Sequence, residues 1–289
     1  MPDYEKRGYL ESEFRLFHLT DRKEQDFQFH YHDFDKIIIF IDGNVNYIIE
    51  GKSYHLKPYD IILVNHNEIH KPDIDHQVPY ERIIVYLSPG FIHSYKTDTY
   101  DLSECFCRTK ESHSNVLRIH SLERSTLFHA IMNLESAFSD NGYANELYRQ
   151  VLFLEFMIHL NRAVCEDHLD YLHTNACNEK IIDILNYINA NLSEDLSIDA
   201  LASRFYISKY HMMRLFKEHT GYTVGSYINH KRLLSAKEMV ALGYPVTQIC
   251  YDCGFKDYST FSRAFRKLFG SSPSVFKNQD TSNYTPDFI

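Results

Sequence analysis

The chain has 289 residues, of which 44% are hydrophobic and 24% charged, with a formal net charge of -9. No apolar run approaches the ~20 residues that a membrane helix needs, and the N-terminal sequence is polar and acidic, unlike a signal peptide. The six cysteines are scattered, which excludes a secreted disulfide framework. We therefore expect a cytoplasmic protein without a membrane partner, long enough for two domains.

Charge is distributed unevenly along the chain. Residues 1–178 contain 17 Lys and Arg against 28 Asp and Glu, a balance of -11, whereas residues 179–277 contain 13 against 9, a balance of +4. The net charge alone argues against nucleic acid. The asymmetry instead predicts an acidic body that does not touch DNA, joined to a basic module that does.

Residues 14 to 87 are predicted to form an antiparallel sheet. Turns at 42–44, 50–52 and 58–60 separate its apolar, β-branched runs. These runs are 36–41, 45–49, 60–64 and 82–87. Several short strands with tight turns are typical of a barrel or jelly roll.

A histidine motif lies within this predicted sheet. His30-x-His32, a glycine-containing turn, a Lys-Pro-Tyr-Asp turn and then His70 follow one another in an order similar to that of cupin-like sensor domains. Cupin enzymes hold a metal with such histidines and a glutamate. The positions nearest to that glutamate are Asp35 and Lys36, and an ammonium group there opposes a cation. We therefore expect no metal at this site.

The same histidines suit a ligand site. Alternate residues of a strand point to one face, and a barrel interior lined by aromatic and a few polar groups fits a small organic ligand. The predicted effector-binding residues are His30, His32, Tyr47, His70 and Tyr86.

Two amphipathic helices are predicted after the sheet, separated by Asn141-Gly142. Their apolar positions recur at helical spacing. These positions are Leu122, Leu127, Ile131, Leu134 and Phe138 in the first helix, and Leu147, Val151, Leu154, Ile158 and Val164 in the second. The pattern leaves two interpretations open: both stripes cover the barrel, or part of the second helix forms a dimer contact.

A short polar segment at 173–178 predicts an interdomain linker. Ile181, Ile182, Leu185 and Ile188 then recur at helical spacing and predict a helix that supports the following unit. The expected organisation is a cupin-like sensing and dimerisation domain at 1–172, a linker at 173–179, an all-α DNA-binding domain at 180–278 and a tail at 279–289. The fold class is thus a two-domain α+β protein.

A helix-turn-helix pattern occurs twice between residues 196 and 276, and a bridging helix joins the two copies. The sequences 212–217 and 261–266 share the pattern apolar-x-Arg-apolar-Phe-basic. Ser208 and Asp257 are predicted to cap the second helix of each copy, and Gly254 gives its turn conformational freedom.

Cys250-x-x-Cys253 has a spacing that can bind metal or cycle as a dithiol. Both cysteines fall on a helix of the second copy, and no second Cys or His pair at zinc spacing accompanies them. We interpret them as packing residues.

The second helix of each copy has an exposed face with basic and hydrogen-bonding side chains, as reading a major groove requires. The predicted DNA-binding residues are Tyr210, His211, Met213, Arg214 and Lys217 in the first copy, and Tyr258, Ser259, Thr260, Ser262, Arg263, Arg266 and Lys267 in the second.

At these residues the chain resembles the AraC/XylS family of bacterial transcription regulators. The match runs in order through 207–221, the bridging sequence 227–237, 253–267 and Pro273. The resemblance implies a sequence-specific regulator that binds double-stranded promoter DNA, has no catalytic residues and needs no cofactor. It also implies a small-molecule effector such as a sugar, RNA polymerase as a partner if the protein is an activator, and a homodimer as one oligomeric state.

The resemblance also suggests which residues read bases. Tyr210, Met213, Arg214, Tyr258, Ser259, Ser262 and Arg263 are expected to face bases, and Lys217, Arg266 and Lys267 to meet phosphates. The bridging helix, predicted at 223–238, is ~24 Å long at ~1.5 Å per residue, so one subunit is expected to touch two adjacent major-groove segments. Two alternative functions remain: a ligand-independent regulator whose barrel only dimerises, and a metal-dependent cupin enzyme fused to a DNA-binding module.

Overall fold

The computed structural model describes residues 5–6, 10, 12–21, 27–75, 77–119, 124–166, 169–172 and 179–281. The chain divides into two compact units, Met1–Cys177 and Asn178–Ile289. The predicted linker at 173–178, Leu122 and the end of the predicted tail lie outside the described residues. Strands dominate the first unit and the second is helical, so the predicted two-domain α+β fold class is confirmed.

The described strands of the first unit form two sheets. The five-stranded sheet has the order β1-β3-β8-β5-β6 and the six-stranded sheet the order β11-β10-β7-β4-β9-β2. The strands are β1 Glu5–Lys6, β2 Phe14–Asp21, β3 His30–Tyr31, β4 Asp35–Asp42, β5 Val45–Ile49, β6 Lys52–His55, β7 Ile61–Val64, β8 His70–Ile74, β9 Tyr80–Leu87, β10 Val116–Ile119 and β11 Leu169–Tyr171. The four predicted runs correspond to β4, β5, β7 and β9 within two residues at each end.

The six-stranded sheet is apolar on both faces. Odd-numbered residues of β4 and β9, such as Ile37 and Ile83, pack with the helices of this unit. Even-numbered residues, such as Ile38 and Ile84, pack with residues of the other sheet, including Tyr47. Because successive side chains of a strand alternate in direction, one continuous apolar run can serve two cores. The predicted barrel therefore takes the form of two stacked sheets that share a core.

Four described helices accompany the sheets: α1 Pro89–His93, α2 Glu104–Glu111, α3 Thr126–Ser136 and α4 Asn145–Cys165. The predicted stripe of the first amphipathic helix is buried in α3 at Leu127, Ile131 and Leu134. In α4 the buried face carries Phe153, Phe156, Met157 and Leu160, together with Val164 of the predicted stripe. Leu147, Val151 and Ile158 are exposed, so the interpretation that the whole second stripe covers the sheets is wrong for these three residues.

The second unit consists of seven described helices: α5 Glu179–Ala190, α6 Ile198–Arg204, α7 Lys209–Thr220, α8 Val224–Ala241, α9 Val246–Asp252, α10 Tyr258–Phe269 and α11 Pro273–Thr281. The predicted supporting helix is α5, which contacts α7. The pairs α6–α7 and α9–α10 are the two helix-turn-helix copies, and α8 contacts both α7 and α10. No helix among the described residues is long and apolar enough to cross a membrane.

The bridging helix α8 is longer than predicted. It begins after Thr223, whose side chain accepts a hydrogen bond from the Ser226 backbone N–H, and it continues to Ala241. The extra turn is stabilised because Val240 is buried against Ile249 of the second copy, and the chain then turns at Gly243, which has a φ of 85°. With 18 residues, α8 spans ~27 Å at ~1.5 Å per residue.

The turns of the two copies share a left-handed residue, Tyr206 in the first copy and Gly254 in the second, with φ of 49° and 80°. A Cβ atom at Gly254 would overlap the Leu192 carbonyl oxygen and the Arg232 guanidinium, so this position requires glycine. Tyr206 is exposed and has room for its side chain. The same turn geometry therefore requires glycine only where another segment lies against it.

The two cysteines of the Cys-x-x-Cys sequence are free and buried. Both belong to the apolar core that α8, α9 and α10 share, and burial raises the pKa of the Cys250 and Cys253 thiols. Protonated thiols inside a packed core are poor metal ligands and poor nucleophiles. The structure supports a packing role for both residues.

Candidate effector cavity and nucleic-acid interface

A cavity of about 280 Å³ in the first unit has walls from both sheets. Four predicted effector residues, His30, His32, Tyr47 and Tyr86, line it. The fifth, His70, lies against them, with its ring centroid 4.5 Å from that of His30 and 6.1 Å from that of Tyr47. The structure thus brings all five predicted residues together.

Strand register explains this convergence. His30 on β3 is the direct cross-strand partner of His70 on β8, and His32 follows two residues after His30. Ring centroids of His32 and His70 are 5.0 Å apart. Tyr86 comes from the other sheet, and its ring centroid is 5.9 Å from that of His32. We refer to His30, His32 and His70 as the histidine cluster.

Backbone carbonyls fix the tautomers of two of these histidines. His30 Nδ1 lies 2.8 Å from the Gln28 carbonyl oxygen, and His70 Nδ1 lies 2.9 Å from that of Glu68. Because a carbonyl only accepts, each Nδ1 carries a proton. Burial, and then the charge of Lys36, hold the pKa of His70 well below its usual range. His70 is therefore neutral and offers a hydrogen-bond acceptor.

Among the described residues, the polar atoms beside the cavity that have no hydrogen-bond partner include His70 Nε2 and the Tyr47 hydroxyl. Both side chains are almost completely buried. A buried polar group without a partner costs free energy, ~1 to 3 kcal/mol. A ligand with hydroxyl groups can supply the missing partners, since it can donate to the imidazole and accept from the phenol.

Two cationic residues line the cavity and were not among the predicted effector residues. Lys36 lies opposite Tyr86 in the β4–β9 register, and burial, followed by the charge of Arg82, lowers the Lys36 pKa to about 7. Arg82 forms an ion pair of 2.7 Å with Asp21, and its guanidinium lies 4.1 Å from the Tyr80 ring centroid. Arg82 lies on the same face of β9 as Tyr86, and Lys36 is the cross-strand partner of Tyr86 on β4. The alternation of side chains that predicted Tyr86 could therefore also have predicted Arg82 and Lys36.

The histidine cluster has the donors that a divalent transition metal accepts. One nitrogen from each ring lies within 4.8 Å of the others, and all three side chains are buried. The neighbouring Lys36 ammonium opposes a cation here, as its charge already opposes protonation of His70. That no metal is bound at this site stays a prediction.

The second helix of each copy, α7 and α10, exposes the predicted DNA-binding residues. Met213 and Ser262 are half-buried, and the remaining ten are exposed. Positions 210, 213, 214 and 217 fall at helical spacing on one face of α7, while Met212, Leu215 and Phe216 on the opposite face are buried. In α10, Phe261 and Phe265 are buried in the same way. Each helix therefore presents one polar face to the surroundings.

The predicted caps position the starts of α7 and α10. Ser208 accepts a hydrogen bond of 3.4 Å from the His211 backbone N–H, and Asp257 accepts one of 2.8 Å from that of Thr260. These contacts confirm both predicted caps. The hydrogen bond from Thr260, and then the Arg263 charge, lower the pKa of the Asp257 carboxyl.

The arginines on these faces are not held in ion pairs. Arg214 Nη2 lies 3.4 Å from His211 Nδ1, and Arg263 Nε donates to the Ser259 carbonyl oxygen at 3.2 Å. Within the described part of the chain, neither guanidinium has a carboxylate oxygen within 4.0 Å. Lys209 differs, because it forms an ion pair with Asp199 of α6. Both arginines thus keep donors that a base edge or a phosphate can accept.

A sheet domain with a ligand-sized cavity, followed by two helix-turn-helix copies, defines a DNA-binding regulator with a ligand-binding domain. The family model described as an AraC-like ligand binding domain matches residues 16–157, and that described as a helix-turn-helix domain matches residues 201–279. The chain belongs to the AraC/XylS family of transcription regulators. The matched domains are those of a transcription regulator and not of an enzyme, which favours this function over the alternative of a fused cupin enzyme.

Individual relatives are distant. The transcriptional activator RhaS of Escherichia coli O157:H7 is 24% identical over 251 residues, which cover 86% of this chain and 87% of RhaS. Among solved structures, ToxT from Vibrio cholerae is 15% identical with a TM-score of 0.36, covering 92% of this chain and 98% of ToxT. An AraC-type regulator from Chromobacterium violaceum is 27% identical with a TM-score of 0.34, covering 37% of this chain and 96% of that one.

Proposed function

We propose that the protein controls transcription in response to a small polar molecule bound in the cavity between the two sheets. The observation that carries this proposal is the convergence of His30, His32, Tyr47, His70 and Tyr86 on one cavity of about 280 Å³. The effector class proposed from the family resemblance is sugars and related catabolites. RhaS, a similar protein, is named as a transcriptional activator.

Ligand screening tests this proposal. A ligand that binds only the folded state raises its apparent stability, so thermal unfolding of the full chain is measured across sugars, sugar derivatives and apolar metabolites. The expected result is a raised midpoint with a polar compound, reduced in Tyr47→Phe, together with a changed affinity for promoter DNA. Stabilisation by apolar compounds alone would contradict the sugar assignment. A regulator that no ligand stabilises, and whose first unit only dimerises, is the remaining alternative.

For DNA, we propose that each subunit reads two adjacent major-groove segments with α7 and α10. Base contacts are assigned to Tyr210, Met213, Arg214, Tyr258, Ser259, Ser262 and Arg263, and phosphate contacts to Lys217, Arg266 and Lys267. His211 and Thr260 complete the interface near the helix starts. Ten of these twelve side chains are exposed on faces opposite the buried apolar residues, which supports this assignment.

We further propose a homodimer formed through α4, and domain limits at 1–172 and 180–278 with a linker at 173–179 and a tail at 279–289. Leu147, Tyr148, Val151 and Ile158 expose apolar surface along α4, which supports a contact with a second subunit. If the protein activates transcription, RNA polymerase is its further partner.

A further inference from the structure

The charges that line the effector cavity do not balance. Asp21 is the only carboxylate among its described lining residues, and Arg82 already pairs with it at 2.7 Å. Lys36 is 7% exposed and has no carboxylate oxygen within 4.0 Å among the described residues. When Lys36 is protonated, the cavity therefore contains one positive charge without a counter-ion.

An isolated buried charge is costly unless a group of opposite charge or a hydrogen-bond partner compensates it. The Lys36 ammonium lies 5.8 Å from the Tyr86 ring centroid, so its charged end is beside a predicted effector residue and not at the protein surface. A charge in that place becomes favourable when a group of opposite sign enters the cavity.

We infer that the effector is a monocarboxylate, and that its carboxylate group pairs with Lys36 while its hydroxyl groups contact the histidine cluster and Tyr47. This inference rests on the proposed function and narrows its ligand class from sugars to sugar acids and similar hydroxy acids. A single negative charge matches the single uncompensated positive charge. A dianionic phosphate group would leave one charge unmatched in the same buried space.

The titratable and charged groups that line the cavity with Lys36, or lie against it, come from five other strands or their flanks. They are Asp21 on β2, Tyr80, Arg82 and Tyr86 on β9, the histidine cluster on β3, β8 and the residues after β3, and Tyr47 on β5. His70 stays neutral because its pKa is well below the usual range, and burial raises the pKa of Tyr47 and Tyr86. Pairing with a carboxylate favours protonated Lys36, so ligand binding near pH 8 should take up a proton.

The experiment compares neutral and acidic ligands with the same carbon skeleton. D-galactose is paired with D-galacturonate and D-glucose with D-gluconate and D-glucuronate, and binding to the full chain is measured by calorimetry at pH 8 in two buffers of different ionisation enthalpy. Variants are Lys36→Met, which keeps the apolar stem, and Lys57→Met as the control, because Lys57 is an exposed lysine outside the cavity. Circular dichroism verifies that each variant is folded.

We expect at least one acid to bind about 10- to 100-fold more tightly than its neutral partner, with proton uptake. Lys36→Met should lose both the preference and the proton uptake, and Lys57→Met should keep them. Tighter binding of the neutral partner, a preference for the acid that survives Lys36→Met, or no binding of any acid would overturn the inference. If a neutral sugar binds in a Tyr47-dependent way and the acids do not, the inference fails while the proposed effector site stands.

Discussion

Arg214 and Lys217 lie one helical turn apart on the exposed face of α7, yet they are expected to act differently on DNA. A guanidinium can form two hydrogen bonds to a guanine edge, whereas a lysine ammonium acts as a point charge beside a phosphate. Arg214→Ala is predicted to cost ~1 to 3 kcal/mol at a cognate site and to relax preference for one base. Lys217→Ala should weaken binding to every sequence and lower the salt slope by about one.

The measurement is binding to cognate and scrambled duplexes at several salt concentrations. Lys110→Ala serves as the control because it removes an exposed positive charge from α2, in the unit that is not predicted to touch DNA. Equal losses on both duplexes for Arg214→Ala would remove Arg214 from base readout.

Burial of Lys36 is also expected to make the free energy of unfolding depend on pH. Its pKa falls from 10.5 in the unfolded chain to about 7 in the folded protein, mainly by burial. Below pH 7 Lys36 is protonated in both the folded and the unfolded state, so folding carries the whole free-energy cost of burying its charge. Between pH 7 and 10 the folded state releases the proton while the unfolded state keeps it, so stability rises with pH. Lys36→Met should therefore stabilise the ligand-free protein near pH 6 by ~1 to 3 kcal/mol, and this gain should shrink towards pH 10.

Chemical denaturation of the wild type and Lys36→Met at pH 6, 8 and 10 checks this prediction. A variant that is less stable than the wild type at pH 6 would show that Lys36 has a partner in the folded chain. A gain that grows with pH would contradict the assigned direction of the pKa shift.

At the scale of single residues, alternation along strands was enough to predict that two tyrosines of different strands face the same interior. Tyr47 and Tyr86 were predicted from their parity in β5 and β9, and the structure brings both to one cavity. The pairing of Arg82 with Asp21 could not be predicted, because it joins residues 61 positions apart whose proximity depends on the β2–β9 register. The uncompensated charge of Lys36 became visible only once that pair was known.

At the scale of secondary-structure elements, a strand or helix could be predicted when its own residue pattern was sufficient to define it. The runs that became β4 and β9 are long, apolar and bounded by turn residues, so the sequence alone was sufficient for them. By contrast, α2 has only eight residues, and its start is held by Asn161 of α4, whose side chain accepts a hydrogen bond of 2.8 Å from the Cys105 backbone N–H. Such a helix forms because of a tertiary contact that periodicity does not reveal.

The helix α4 has apolar residues on more than one face, so it can pack on two sides. Its buried face includes Phe153 and Phe156, and Val151 on another face is 54% exposed. A glutamate at position 151 would place a charge in the proposed dimer contact without entering the core. Val151→Glu is predicted to shift the protein from dimer to monomer at micromolar concentration.

Sedimentation analysis of the full chain measures this shift. Met132→Glu is the matched control, since Met132 is an exposed apolar residue of α3 outside the proposed contact. A dimer that persists in Val151→Glu, or one that Met132→Glu disrupts equally, would exclude α4 as the specific interface.

At the scale of the whole molecule, the chain joins an acidic unit that contains the proposed effector cavity to a second unit in which α8 connects the two helix-turn-helix copies. At ~27 Å, α8 together with the widths of α7 and α10 approaches the ~34 Å between successive major-groove faces on one side of a duplex. Each subunit should thus contact DNA twice, with α7 and α10 one helical turn apart.

Footprinting across the genome, followed by hydroxyl-radical footprinting on the bound sites, tests whether each subunit contacts two adjacent major-groove segments. We expect specific sites at which each subunit protects two segments about 10 base pairs apart. Arg214→Ala should weaken protection of one segment and Arg263→Ala that of the other. The genes beside these sites should handle sugar acids or related hydroxy acids. A single protected segment per subunit, or protection without sequence preference, would contradict reading of DNA by two helix-turn-helix units.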